Sequence, residues 1–444
     1  MLKNTLNNNI NAIAHYCQEY QRVAKQLIGQ DQAYFQQLRQ NALEKFSTHG
    51  FPNKKLADWK YTSLTTLLQT PYTLNTSAPT NAVTAAMLDP LRSDYRLVFV
   101  NGYFAAHLSN VAPLADNCRI TNLTTMLTQY SNQFHASWKP EESLDKNGFM
   151  QLNTAFMQDG AYIYLAANTH LHTPIEILFI NTDVSSQHFI PLRNIVIAEE
   201  NSKTTIIEKY IDMTSENNAN YFTNTLTECR LAANSHIQHY KIISESKLAQ
   251  HVGNLCVTQQ NSSQFFANSL ALNGALIRSD VSVKLLAADA YCQLKGLYYA
   301  VAQQQVDHCT QIDHVSPHTH SEEFYKGIID DRARASFNGK LIVREQAIKS
   351  KAQQLNKNLL LSPLAEVNTK PQLEIFTDDI QCMHGASIGQ LDKDALFYLR
   401  TRGLTVTAAT ELLIQAFIQD IIEQMPLFNH ATLPSLITNN YECF

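Results

Sequence analysis

Apolar residues recur along this chain at two different periods, and the change of period divides it into three zones. From Ile10 to about Gly50 they fall three or four apart, at Ile13, Tyr16, Cys17, Tyr20, Val23 and Leu27, then at Tyr34, Phe35, Leu38, Ala42 and Phe46. That spacing predicts two amphipathic helices, or one interrupted helix, stopped by Gly50 and Pro52. From about Leu97 to Ile375 the period shortens to two. YIYLA (from Tyr162), IEILFI (from Ile175), NIVIAEE (from Asn194), TTIIEKY (from Thr204), HIQHYKII (from His236), SDVSVKLLA (from Ser279) and GKLIVRE (from Gly339) follow one another across short polar breaks. Alternation of this kind marks strands with one buried face. No convincing helical segment of ten residues or more separates them, which argues against an alternating β/α fold. Roughly 280 residues of nearly unbroken strand leave a pair of sandwiches, a large barrel or a solenoid of stacked rungs, with the solenoid slightly favoured. The last zone is helical again. Asp392 is a good N-cap for KDALFYLRTR, and Gly403 sits where a C-cap glycine belongs. A second helix follows with Ala409, Leu412, Leu413, Ala416, Phe417, Ile421 and Ile422 on one face, up to Pro426. That apolar face either covers the β core or docks a partner.

The 444 residues are enough for about three structural units with real cores. Hydrophobic residues make up 45% and charged residues 16%, and the net charge is -5 with no run of five basic residues, so nucleic acid is not an expected partner. Only 13 glycines occur, which disfavours architectures built on tight glycine turns. No apolar stretch approaches the roughly 18 residues that span a bilayer, and the first ten residues are amide-rich. A soluble, cytoplasmic protein without membrane contact is the expectation. The eight cysteines are spread evenly with no C-x-x-C pair, which fits neither a zinc ribbon nor a disulfide framework.

Four patterns carry candidate chemistry. Cys382 and His384 flank Met383 in a strand-like run, so both lie on one face, about 6.6 Å apart at roughly 3.3 Å per residue. A thiolate and an imidazole so placed can reach one metal centre, but they are two ligands where a closed site takes about four. The alternative is a buried cysteine beside a histidine that caps a turn at Gly385. The stretch DHCTQIDHVSPHTHSEE holds His308, Cys309, His314, His318 and His320. On a strand His308 and Cys309 point to opposite faces, and only His318 and His320 pair naturally, in a loop around Pro317. Gly385 to Gly389 reads G-x-S-x-G between a strand and a helix, but it lacks the alternating upstream elements of a hydrolase, and His430 is the sole later histidine. Asn338-Gly339-Lys340 lacks the first glycine and the hydroxyl residue of a phosphate loop, so the chain is not expected to bind ATP.

The segments HVSPHTHSEEFYKGIIDDRARASFNGKLIV, AQQLNKNLLLS and TKPQLEIFTDDIQCMHGASIGQLDKDALFYLRTRG closely resemble the SufB and SufD family of iron–sulfur cluster assembly scaffolds. The resemblance is strong from Asp307 to Met425 and moderate from Pro52 to Leu64. KKLADWKYT, the Cys-x-His-Gly-Ala segment and FYLRTRG lean to the SufD branch, and the cysteine-rich N-terminal cluster of many SufB chains is missing.

That resemblance implies a mainly β protein, a right-handed parallel β-helix core at residues 96–385, flanked by an N-terminal helical region at 1–95 and a C-terminal helical region at 386–444. It implies a non-catalytic scaffold subunit that pairs with SufB through the β-helix, docks the ATPase SufC through its C-terminal helices and receives sulfur from a desulfurase system. Cys382 and His384 then become half of a ligand set for a transient iron–sulfur cluster shared with SufB. Met383 stands where a small polar residue is common. The docking residues expected on the last helix are Leu412, Phe417 and Ile421. Stoichiometry, cluster type and flavin association stay open. The alternative function is a stand-alone β-helix enzyme acting on a polysaccharide or ester. As strand residues, Asp330 and Asp331 would point to opposite faces, as would Asp378 and Asp379, leaving that enzyme without an acid/base pair.

Overall fold

Strict alternation along a strand produces two chemically different faces, and in this chain successive strands turn the same face toward one shared interior. The computed structural model describes residues 2–76, 83–88, 93–114, 117–139, 147–182, 187–214 and 217–425. Its first strands are short: β1 (Thr73–Leu74), β2 (Tyr95–Val100), β3 (Tyr103–Phe104), β4 (Asn110–Val111) and β5 (Arg119–Asn122). The solenoid follows as β6 (Ala161–Leu165), β7 (Ile175–Asn181), β8 (His188–Ala198), β9 (Lys203–Asp212), β10 (Tyr221–Leu231), β11 (His236–Ser244), β12 (Gln250–Gln259) and β13 (Gln264–Asn273). It continues as β14 (Leu276–Leu285), β15 (Tyr291–Ala300), β16 (Gln305–His314), β17 (His320–Ile329), β18 (Arg334–Val343), β19 (Ser350–Leu360), β20 (Glu366–Ile375) and β21 (Ile380–Gln390). Even-numbered strands from β6 onward pair in parallel with one another, and odd-numbered strands from β7 onward do the same. The result is a parallel β-solenoid of about 7 turns with two long faces.

Register turns the alternation into columns. Val196, Cys229, Val257, Val283, Ile312, Leu341 and Leu373 stack in line through the even sheet and face the interior. The corners explain how a chain with so few glycines makes so many tight turns. Asn168, Asn201, Asn234, Ser262, Asp289, His318 and Lys349 all adopt positive φ between strands. Asparagine and aspartate tolerate that conformation better than other side chains do. Several of these residues donate their backbone N–H to the next coil, as Asn201 does to Ala233 O at 3.0 Å and His318 to Ile348 O at 2.9 Å.

The interior is not uniformly apolar. Glu208, His239 and Lys241 are buried in it, with His239 Nε2 2.8 Å from Glu208 Oε2. Burial alone would raise the Glu208 carboxyl, but Lys241, His239 and Tyr210 hold it below its ordinary range. Glycine makes room for such side chains. A Cβ on Gly253 would stand 2.7 Å from Lys241 Nζ, and one on Gly327 would overlap the Tyr298 ring and stand 2.5 Å from Asn358 Oδ1.

Helices cover both outer faces. At the N-terminus α1 (Leu2–Val23) and α2 (Ala33–His49) form as the helical spacing predicts, Gly50 ends α2 at φ 65, and the short α3 (Thr65–Gln69) follows. Trp59 of the KKLADWKYT block is a packing anchor. It stacks on Phe149 at 5.4 Å, and the Arg278 guanidinium of β14 lies 4.1 Å over its ring. Three helices break the expected run of strands: α4 (Leu123–Gln129), α5 (Ser131–Ser137) and α6 (Gly148–Phe156). Each is too short to show a helical period, and α6 is buried along its whole length, so no polar face marks it.

At the other end β21 runs to Gln390, past the expected core boundary at 385, and is followed by α7 (Lys393–Thr401) and α8 (Val406–Ile422). Asp392 caps α7 by accepting from the N–H groups of Asp394 and Ala395. Pro426 and the rest of the chain to residue 444, His430 among them, lie outside the described residues.

Gly327→Ala is expected to cost about 2 kcal/mol, because the added methyl must displace a buried ring. Gly389→Ala, with nothing within 4 Å of its Cβ position, serves as the control. Equal denaturation midpoints for the two variants would contradict this account of the interior.

Candidate functional site

β21 and β20 are the terminal strands of the two sheets, and both ends fall on the same side of the molecule. No further coil among the described residues stacks on them, so side chains that would be buried in any earlier coil are open here. Cys382 pairs with Ala352 and His384 with Gln354 of β19. Ala352 and Gln354 are interior residues, so Cys382 and His384 occupy interior-facing positions on the last rung. Met383 faces outward and is 53% exposed. The single-face placement of the pair predicted from spacing is what the strand produces. Gly385 to Gly389 belong to the same strand, so the G-x-S-x-G match is no nucleophile elbow, and Gly385 marks no turn for His384 to cap.

The two side chains differ in setting. Cys382 is half-buried against the solenoid core, and this burial pushes its thiol above the ordinary value. His384 is exposed. Among the described residues no group of three or more His, Cys, Asp or Glu is placed to hold a metal. The pair therefore presents two donors toward open space at the end of the solenoid.

Behind it lies a polar interior that sequence reasoning missed. Gln354 Nε2 donates to Glu323 Oε2 at 2.5 Å, and Glu323, Gln354 and His384 share one register column through β17, β19 and β21. Glu323 Oε1 and Gln354 Oε1 have no hydrogen-bond partner among the described residues. Burial pushes Glu323 up to about 7. In HSEEFYKGII, apolar residues occupy both parities, Phe324 and Ile328 against Tyr325 and Ile329, so alternation alone does not say which glutamate points inward.

The histidine-rich stretch is structural. His308 is interior, packed at a tilt between Tyr298 and Tyr325 with ring centroids at 5.0 and 5.2 Å, and burial drives it down to about 3. Cys309 faces the other way, near Asn338, and burial drives it up to about 12. His314 is held by the Thr319 and Ser321 hydroxyls, each at 2.8 Å. His318 sits exposed at a corner, while His320 begins β17 with Nε2 3.4 Å from Glu322. The aspartate pairs lie in turns, not on strands. Asp331 Oδ2 there accepts from Ala302 N, and Asp378 and Asp379 join β20 to β21.

The last helix divides its apolar residues between two surfaces. Ile414, Ile418, Ile421 and Ile422 pack on Leu270, Leu297, Tyr299, Ile328 and Leu359 of the odd sheet. Ile421 is fully buried there, which corrects its expected place on a docking surface; Phe417 is partly buried beside Lys326. Leu412 is exposed, as are Phe397 and Tyr398 on α7, Leu404 in the turn after it and Val406 at the start of α8.

A parallel β-solenoid with helices on both faces and a Cys-x-His pair on its open last rung defines the class of protein. Residues 179–417 match the SufBD core domain of the SUF system for FeS cluster assembly, and residues 10–177 match the SufBD protein N-terminal region. The chain belongs to the SufBD family of iron–sulfur cluster assembly proteins. It is 31% identical to a SufBD family protein of Synechocystis, over 88% of this chain and 87% of that one. It is 29% identical to the iron–sulfur cluster assembly protein SufD of Escherichia coli, over 87% and 88%, and 24% identical to SufD of Bacillus subtilis, over 90% and 92%. No helix among the described residues is long and apolar enough to cross a membrane.

Between pH 4.5 and about 7 the folded chain keeps a proton on Glu323 that an unfolded chain has released, so this group subtracts stability as pH rises through that window. The stability of Glu323→Gln relative to the parent should therefore increase from pH 4.5 to about 7 and level off above. Denaturant midpoints at three pH values measure it, and a constant difference would contradict the assignment.

Proposed function

We propose that this chain is a non-catalytic scaffold subunit of a SufB–SufC–SufD complex, in the position of SufD. The observation that carries the reading is the orientation of Cys382 and His384: two metal donors on the interior face of a coil with no described residue stacked beyond it. Both sheets end there in free strand edges, which another parallel solenoid can extend by main-chain hydrogen bonds. Ile375, Phe376, Met383 and Ile388 add exposed apolar area at the same end. A SufB chain seated on that edge would bring its own donors to the half set and bury the thiol and imidazole with a transient iron–sulfur cluster between the two subunits. Mixed thiolate and imidazole ligation carries less negative charge than four thiolates, which suits a site that must release its product.

ATP is handled by SufC in this reading, and sulfur arrives from a desulfurase system. The SufC docking surface is the exposed apolar group of Phe397, Tyr398, Leu404, Val406 and Leu412, while the buried isoleucines of α8 hold that surface on the solenoid. The setting is cytoplasmic.

Co-expression with SufB and SufC should yield one complex, and His384→Ala should lower cluster yield after anaerobic reconstitution while the subunits still assemble. Cys382→Ser should have an equal or smaller effect, since its half-buried sulfur also packs on the core. Wild-type cluster formation by the His384→Ala complex would remove the ligand role.

Phe397→Glu with Leu412→Glu should abolish SufC capture and leave pairing with SufB intact. Retained capture by the folded double variant would move the docking surface elsewhere.

A further inference from the structure

The outer face of the odd sheet carries a second polar feature, on the opposite side from Cys382 and His384. β15, β17, β19 and the C-terminal end of α8 enclose a cavity of about 280 Å³. Lys295, Phe324 and Leu355 form one register column of its floor, and Gln293, Glu322 and Gln353 form the next. Lys357 reaches in from the neighbouring column, while Asp420 and Gln424 close the wall.

The charged groups around this cavity are unevenly engaged. Asp420 is taken by Lys326, whose Nζ lies 2.5 Å from Oδ1. Glu322 accepts from Gln293 Nε2 at 3.0 Å and faces His320. Lys295 is only 7% exposed and has Glu322 as the carboxylate that attracts it, yet no hydrogen bond or close ion pair holds its ammonium among the described residues. Lys357 has no carboxylate partner, and its only close contact of this kind is the Phe324 ring at 5.8 Å. Of the lining carboxylates, Asp420 is engaged by Lys326, Glu322 by Gln293, and Glu323 by the Gln354 amide, which leaves the Lys295 and Lys357 ammonium groups without a close acceptor. Gln353 adds an amide donor that no described group uses. A largely buried cation facing a cavity is costly unless an acceptor meets it.

We infer that this cavity binds a small oxyanion, a phosphate or carboxylate group, held by Lys295, Lys357 and the Gln353 amide, with Phe324 and Leu355 beneath whatever apolar body carries it. The site is independent of the cluster-assembly reading, since it uses other residues on the other side of the sheet. It also touches α8, so an occupant would tie that helix to the solenoid.

Calorimetric titration of the full chain with inorganic phosphate, and separately with acetate, at constant ionic strength tests this and distinguishes the two anions. One saturable site for at least one of them is expected. Lys295→Met should weaken it about tenfold or more, the loss of one charge-assisted hydrogen bond, and Lys357→Met should weaken it as well. Lys351→Met, on β19 outside the cavity lining, should not. Absence of binding by the parent overturns the inference, as does undiminished binding by a folded Lys295→Met chain or equal loss in Lys351→Met. If Lys295→Met does not fold, the Lys357→Met result decides.

Discussion

Each strand of the solenoid finds its main-chain partners only in the coil before it and the coil after it, and the rest of the structure depends on that constraint. A stack so built has two ends, and the last coil must leave one row of backbone donors and acceptors, and one row of interior-facing side chains, without a partner. Here that coil carries Cys382 and His384. Their exposure is not a local accident of loop geometry but the consequence of where the stacking stops. The same residues one coil earlier would be as buried as Ala352 and Gln354.

The interior itself is a compromise between packing and polarity. Most columns are aliphatic and stack like on like. Others admit Glu208, Lys241, Glu323 and Gln354, and Gly253 beside Lys241 and Gly339 beside Gln354 remove the side-chain volume that would otherwise exclude those two groups. Mid-solenoid, Glu208 is surrounded by Lys241, His239 and Tyr210 and stays ionised. Nearer the open end, Glu323 has only neutral groups beside it, the Thr310 hydroxyl and the Gln354 amide, and burial drives it toward its neutral form. Two buried glutamates in one interior thus behave in opposite ways because one has a cation beside it and the other does not.

The helical regions divide the outer surface. The N-terminal helices seal the even sheet through an aromatic layer that includes Trp59, Phe149, Phe189 and Phe222. On the odd sheet α8 covers only part of the face, anchored by its isoleucines and by the Lys326 ion pair to Asp420. α7 buries no residue. It projects Phe397 and Tyr398 outward.

Local pattern in the sequence determined a good deal. Period-two runs identified the strands, helical spacing the terminal helices, Asp392 a cap, and the Cys-x-His spacing a shared face, because each of these depends on neighbours within a few residues. What pattern could not reach was anything set by a residue tens of positions away. The period does not distinguish a solenoid from a sandwich, since both need one buried face per strand; the parallel register decided it. Glu323 could not be told from Glu322 as the inward one, because β17 is apolar at both parities. Asp331 reads as a strand residue but lies at a corner, and Ile421 reads as a candidate docking residue but packs from α8 onto the odd sheet. In each case the deciding contact comes from another coil or another helix, and only the tertiary structure brings that contact into being.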